Sequence, residues 1–252
     1  MNKIITLVLL FFSLGAVAQI DIRIDAKHPT ADISPMLYGI FYEDINHAAD
    51  GGIYPELIRN RSFEDHDSQA EAWAPYTSVN GNVRMTIVRD DLLNKVQRQA
   101  LHVVTTNIGD TDAGVMNKGF WGINAVEGRE YKLSMWIKVT RSRGFFAMLK
   151  GKKGVKFYSS VKLNVDLTKG GWQHVTATLK STANDPDAQF VISSKGNSDF
   201  YLDVVSLFPP TYKNRENGLR PDLVEMLYEL HPRFMRFPGA CFVEGHDTPD
   251  NA

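Results

Sequence analysis

Hydrophobic and polar positions follow three different rhythms along this chain. Near the start, Ile20, Ile22 and Ile24 alternate with charged neighbours, so the segment 20–32 is predicted to open with a half-buried strand. Met36 to Tyr42 (MLYGIFY) is apolar almost without interruption, the pattern of a strand covered on both faces in a parallel sheet or barrel. From about Ala72 to Pro210 the period shortens to two. Alternating segments recur at 83–88, 100–106, 131–139, 145–149, 172–180, 188–193 and 200–208. In one of them Tyr131, Leu133, Met135, Ile137 and Val139 share one parity, while Lys132, Ser134 and Lys138 take the other. Turn clusters such as Val79–Asn82 and Lys195–Asn197 separate the segments, which predicts an antiparallel β-sandwich of the jelly-roll, galactose-binding-like kind. With its own alternating strands, the segment 72–210 is expected to fold alone.

After Pro209-Pro210 the spacing becomes helical. Leu219, Leu223, Val224, Leu227 and Leu230 fall on one face, Pro221 suits a first turn, and His231-Pro232 ends the run. The apolar stretch RFMRF follows at once. Helix then buried strand is the α/β repeat, so the expected architecture is mixed. It is an incomplete (β/α)8 TIM barrel, with two strands and one helix, interrupted after its first strand by the sandwich. The expected divisions are 1–18, 19–71, 72–210 and 211–252. Because only seven residues follow Gly245, the chain is expected to be the front part of a longer enzyme.

Three compositional facts change the picture. Met1 to Ala18 has Lys3, an apolar run from Ile4 to Phe12 and the small-residue ending Ala16-Val17-Ala18, the make-up of a signal peptide cut before Gln19. The run falls short of the roughly 20 residues of a spanning helix, so a periplasmic or secreted protein with no membrane attachment after cleavage is expected. A formal net charge of -1 gives no reason to expect a nucleic-acid partner. Cys241 is the only cysteine and excludes an internal disulfide. It is either a small buried hydrophobe or a pocket-lining residue.

The polar groups between Gly39 and Glu64 are the densest in the chain. Glu43 stands where MLYGIFY emerges, either to accept hydrogen bonds from substrate hydroxyls or to form a structural ion pair. Arg236 lies on the second barrel-like strand, and Glu43 is its expected partner, because a buried guanidinium is costly unless paired. His47, four residues after Glu43, makes only a weak metal pair, and no metal-spacing motif or cofactor fingerprint is present. No cofactor and no metal are expected. Trp73, Trp121, Trp136 and Trp172 lie in or beside the sandwich. Trp136 is either an exposed platform for a sugar ring or, the favoured reading, part of a second packed layer. Asp203 is read as holding a structural ion or a turn.

The stretch Ile33–Glu64 (ISPMLYGIFYEDINHAADGGIYPELIRNRSFE) together with Arg233–Gly245 (RFMRFPGACFVEG) closely resembles the α-L-arabinofuranosidases of glycoside hydrolase family 51 that carry an inserted carbohydrate-binding-like sandwich. Ala49 and Ala240 stand where that family tends to have glycine. The resemblance implies a (β/α)8 barrel and retaining hydrolysis of terminal non-reducing α-L-arabinofuranosyl residues from an arabinose-containing polysaccharide or oligosaccharide. It also implies that Glu43, Arg236 and Cys241 line the arabinose subsite. Retention needs two carboxylates about 5–5.5 Å apart. In this family both sit on later barrel strands, so no residue here is given a catalytic role. The competing expectations are a secreted protein that binds carbohydrate without catalysis and a structural or adhesion module.

Overall fold

The computed structural model describes residues 21–152 and 156–237. The expected signal peptide at 1–18 and Cys241 lie outside the described residues. Among them no helix is long and apolar enough to cross a membrane.

The mass of the molecule is two packed antiparallel sheets. In chain order the strands are β1 (Ile40–Phe41), β2 (Trp73–Thr77), β3 (Asn82–Val88), β4 (Ala100–Thr106), β5 (Asp112–Asn117), β6 (Ile123–Ala125), β7 (Glu130–Arg141), β8 (Phe145–Lys150), β9 (Phe157–Leu163), β10 (Trp172–Lys180), β11 (Asp185–Lys195), β12 (Ser198–Phe208) and β13 (Met235–Arg236). One helix, α1 (Pro221–Glu229), precedes β13. One sheet has the order β10-β7-β12-β4-β3, and the other β2-β5-β11-β8-β9 with β6 also paired to β11. The alternation read in 131–139 is realised: Tyr131, Met135 and Ile137 are fully buried between the sheets. They pack in one core with Phe145, Phe190, Phe200 and Leu202.

That core also takes in Ile58 and Phe63, which are 1% and 0% exposed and precede the first sandwich strand. The segment carrying them runs beside β12. The Leu57 amide donates to the Leu207 carbonyl at 3.1 Å, and the Val205 amide to the Arg61 carbonyl at 2.9 Å. Glu56, 1% exposed, locks this seam. Its carboxylate accepts from the Ser206 hydroxyl at 2.6 Å and from the amides of Leu207 and Ile58 at 3.0 and 2.9 Å.

β1 and β13 form a separate two-stranded parallel sheet, Ile40 opposite Met235 and Phe41 opposite Arg236. Parallel neighbours need a crossover, and α1 provides it. Pro221 sits in the first helical turn, where a missing amide costs nothing. The Arg220 amide donates to the Ile53 carbonyl at 2.8 Å, tying the helix start to the stretch after β1. Leu219, Val224 and Leu227 face Ile40, Ile53 and Met235 across an apolar cleft of about 490 Å³.

Two expectations fail here. The segment 21–32 forms no strand, and Ile22 and Ile24 are 80% and 85% exposed, because no described strand pairs with it. MLYGIFY is not buried on both faces. Pro35–Leu37 makes a short 3-10 turn, β1 has one neighbour among the described residues, and Leu37 and Phe41 stay 73% and 51% exposed.

Candidate functional site

Two surfaces carry the chemistry. The first is the end of the parallel pair. Ile40 and Met235 point at α1, so by strand alternation Phe41 and Arg236 occupy the opposite face. There the Arg236 guanidinium lies 4.5 Å from the Phe41 ring centre, a cation–π contact. Gly39 belongs to the same row, and a Cβ there would meet the Phe234 ring at 2.5 Å, so only glycine lets that ring lie across the strand. Glu43 follows two residues after Phe41 and is half-buried. The expected Glu43–Arg236 ion pair is not formed among the described residues. Arg236 is exposed, so no desolvation forces a partner upon it.

The loop leaving β1 turns back tightly. The Ile45 amide donates to the Glu43 carbonyl at 3.1 Å, and Asp44 Oδ1 accepts the Ala49 amide at 2.9 Å. Asn46 and His47 adopt φ of 54° and 62°. The loop docks on the β5–β6 connection of the sandwich: His47 packs 5.1 Å from Phe120 and 5.8 Å from Trp121, the latter edge-on at 73°. His47 is therefore engaged with aromatic rings. Among the described residues no group of three His, Cys, Asp or Glu side chains is placed to hold a metal ion.

The second surface is the outer face of the five-stranded sheet. In the register of these strands Trp172, Lys138, Tyr201 and His102 form one row, and His174, Trp136 and Asp203 the next. Tyr201 stacks flat on His102 at 4.2 Å, and His102 Nε2 is 2.9 Å from Asp199 Oδ1. Lys138 Nζ lies 3.9 Å from the Tyr201 ring centre and 5.5 Å from that of Trp172. It is held by Asp91 Oδ2 at 2.6 Å, and the Trp172 indole N–H donates to the Asp91 carbonyl at 3.1 Å. Trp136 is half-buried on this face, 5.1 Å from His174, whose Nε2 meets the Ser134 hydroxyl at 2.8 Å. Its ring belongs to the outer face rather than to the second packed layer that the sequence favours. Next to it Ser134, His174, Thr176, Thr178 and Ser206 floor a cleft of about 460 Å³, roofed by the loop 209–217. A floor of hydroxyls beside the Trp136 ring suits a neutral, hydroxyl-rich ligand.

Asp203 lies in the irregular step of β12 between Asp203 and Ser206. It is fully buried; Oδ1 accepts the Val204 amide at 2.8 Å, and Oδ2 has no partner. Burial pushes its carboxyl up to about 7, against the pull of that amide, and the nearby Glu64 adds to the rise. Through that amide it shapes the bulge in β12. The row through Lys138, Tyr201 and His102 is absent from the sequence reading, although all three hold the non-core parity of their strands. That signal was available.

Two packed antiparallel sheets with aromatic rings and hydroxyls on one outer face define the class: a β-sandwich module. The chain belongs to the carbohydrate binding domain family, whose pattern matches residues 55–199. Over 237 residues, the module included, the chain is 35% identical to an extracellular exo-α-L-arabinofuranosidase of Streptomyces chartreusis, covering 93% of this chain and 27% of that protein. α-L-Arabinofuranosidase 1 of Arabidopsis thaliana is 31% identical over 239 residues, 90% of this chain and 34% of the relative. The crystal structure of the arabinose-bound MgGH51 α-L-arabinofuranosidase superposes with a TM-score of 0.79 at 31% identity, over 88% of this chain and 37% of that one. The resemblance to family 51 arabinofuranosidases is thus borne out, and the chain spans roughly a third of the length of these relatives.

Proposed function

We propose that this chain supplies the front part of a secreted, retaining α-L-arabinofuranosidase acting on arabinose-containing polysaccharide or oligosaccharide. The carrying observation is the parallel β1–β13 pair, with α1 packed on one face and Phe41 and Arg236 on the other. In a (β/α)8 barrel the helices lie outside, and the opposite face of the strands is the barrel interior. On this reading β1, α1 and β13 are an incomplete barrel, the segments before Glu56 and after Pro210 belong to it, and the sandwich with its leading segment 56–71 is an insert.

Glu43, Arg236 and Cys241 then line the subsite of the terminal arabinose. Glu43 accepts hydrogen bonds from sugar hydroxyls, and Arg236, fixed over Phe41, donates to them. Charged hydrogen bonds in such a mouth contribute about 1.5–3 kcal/mol each. Both catalytic carboxylates of retention come from barrel strands outside this chain. An exported protein fits the name of the Streptomyces relative, which is extracellular.

The test joins the 252 residues to the remaining barrel of the Streptomyces relative and follows a chromogenic arabinofuranoside. Expected are turnover by the joined protein, none by the chain alone, and a KM raised about tenfold or more by Glu43→Gln or Arg236→Ala. Turnover by the chain alone, abolished by changing one of its own residues, overturns the reading.

A second reading, carbohydrate binding without catalysis, is favoured by Trp136 and the hydroxyl-floored cleft beside it. Affinity electrophoresis of the chain in arabinoxylan decides it. Retardation lost in Trp136→Ala supports sandwich binding, and unchanged migration of the wild type removes it.

A further inference from the structure

We propose that Trp121, braced by His47, is a stacking platform for a second sugar ring, next to the one held at Glu43 and Arg236. The inference rests on the arabinofuranosidase reading above and names the contribution of the inserted sandwich to that same site.

Trp121 is 66% exposed, and its ring rests beside those of His47 and Phe120 on a closely bonded turn. It sits on the short connection between β5 and β6, flanked by Gly119 and Gly122 with φ of +64° and +99°. The Gly122 amide donates to the Lys118 carbonyl at 3.2 Å, closing the turn. The Gly119 amide donates to Asn117 Oδ1 at 2.8 Å, while Nδ2 of the same buried Asn117 donates to the Arg59 carbonyl at 2.9 Å. A Cβ on Gly122 would lie 2.7 Å from the Pro186 carbonyl oxygen, so this turn is pressed against β11. Positive φ and close backbone approach are conditions that glycine alone meets without strain. The indole is therefore presented at low ordering cost, which is what a binding platform requires.

The loop after β1 meets this platform. Gly51 lies against the Phe120 ring, where a Cβ would come within 2.4 Å, and the His47 ring stands edge-on to Trp121. Glu43 and His47 are four residues apart, so their Cα atoms lie within about 14 Å even if the chain were extended. The turn bonds Ile45 to Glu43 and Ala48 to Ile45 bring them closer. A saccharide anchored at Glu43 thus has an aromatic face within reach of its next residue. A sugar ring offers C–H groups on one face and hydroxyls at its rim. The indole meets the former, and an exposed imidazole nitrogen of His47 meets the latter. The predicted ligand is a neutral arabinose-bearing oligosaccharide rather than arabinose alone.

The experiment titrates the 252-residue chain with free L-arabinose and with an arabinofuranosyl-substituted xylo-oligosaccharide, by calorimetry and tryptophan fluorescence. Expected is about tenfold weaker oligosaccharide binding in Trp121→Ala, unchanged arabinose binding, and near-recovery in Trp121→Phe. His47→Ala weakens the oligosaccharide by a few fold, and Phe157→Ala, an exposed aromatic on β9, changes nothing. Circular dichroism melts confirm that each variant is folded. If Trp121→Ala leaves oligosaccharide affinity intact while Glu43→Gln abolishes binding of both ligands, the platform is wrong and the enzyme reading survives. Loss in Trp136→Ala but not in Trp121→Ala moves recognition to the sheet face and overturns the platform. Absence of any oligosaccharide binding by the wild type overturns the platform, and the enzyme reading is then judged by the joined protein alone.

Discussion

The sandwich and the β1–β13 pair are built from equally apolar sequence and end in opposite states. In the sandwich, Phe145, Phe190 and Phe200 are completely buried. In the pair and its helix, Phe41, Phe234, Met235, Phe237 and Met226 are 44–64% exposed. Hydrophobicity alone does not distinguish them; the number of partners does. Each sandwich strand meets neighbours along one sheet and a second sheet across the core. Among the described residues β1 and β13 have only each other and one helix. The apolar surface that remains marks an interaction surface or an aggregation liability, and on the barrel reading proposed above it is what the further strands would cover.

The largest effect expected from this contrast concerns the limits of the self-sufficient part. A fragment spanning 72–210 lacks Ile58, Phe63 and the Glu56 seam and loses more than about 5 kcal/mol, as much as many domains possess. It melts without cooperativity, whereas 55–210 shows a single sharp transition in calorimetry. Equal melts would refute the role given to the leading segment.

Next, Phe190→Ala costs about 3–5 kcal/mol through the cavity it leaves, and Met235→Ala less than about 1 kcal/mol. Urea unfolding followed by tryptophan fluorescence compares the two. Similar losses would mean that the parallel pair is as well packed as the sandwich.

Glu56→Ala strands the amides of Ile58 and Leu207 and the Ser206 hydroxyl, at about 2–4 kcal/mol, while Glu56→Gln keeps part of the bonding and costs less. Asp203 gives the most pH-dependent effect. Its carboxyl titrates near 7 when folded, above its ordinary 3.8. Its contribution to stability is therefore full below about pH 4 and falls away as pH rises through 7. Asp203→Asn keeps the acceptor for the Val204 amide and removes the ionisation. It should match the wild type at pH 4.5 and exceed it by roughly 1–3 kcal/mol at pH 8. Parallel melting curves across that range would refute the assignment.

Much of the sandwich was legible because its central strands alternate cleanly, as 131–139 does. The strands that escaped have a physical reason. β5 contains Gly114, which reads as a breaker, yet a Cβ there would lie 2.1 Å from the Ile192 carbonyl oxygen. The close approach of two backbones demanded glycine inside a strand. β2 contains Pro75, which only an edge strand accepts, and β2 is the edge of its sheet. The candidate site was legible in part: Glu43 and Arg236 stood out as polar groups closing apolar runs. The Phe41–Arg236 contact, which replaces the expected ion pair, depends on strand register, and so does the meeting of His47 with Trp121. Neither is written in local periodicity.

The hydrogen bond between Leu57 and Leu207 has a topological meaning. The chain enters and leaves the sandwich at the same spot, like the two legs of a hairpin. A host protein needs only a gap the width of one strand pairing to accept such a module, with its own helices and strands left undisturbed. On the barrel reading proposed above, cutting out everything between those two leucines and bridging them with a short turn should leave β1 and α1 at the spacing of an uninterrupted β/α unit.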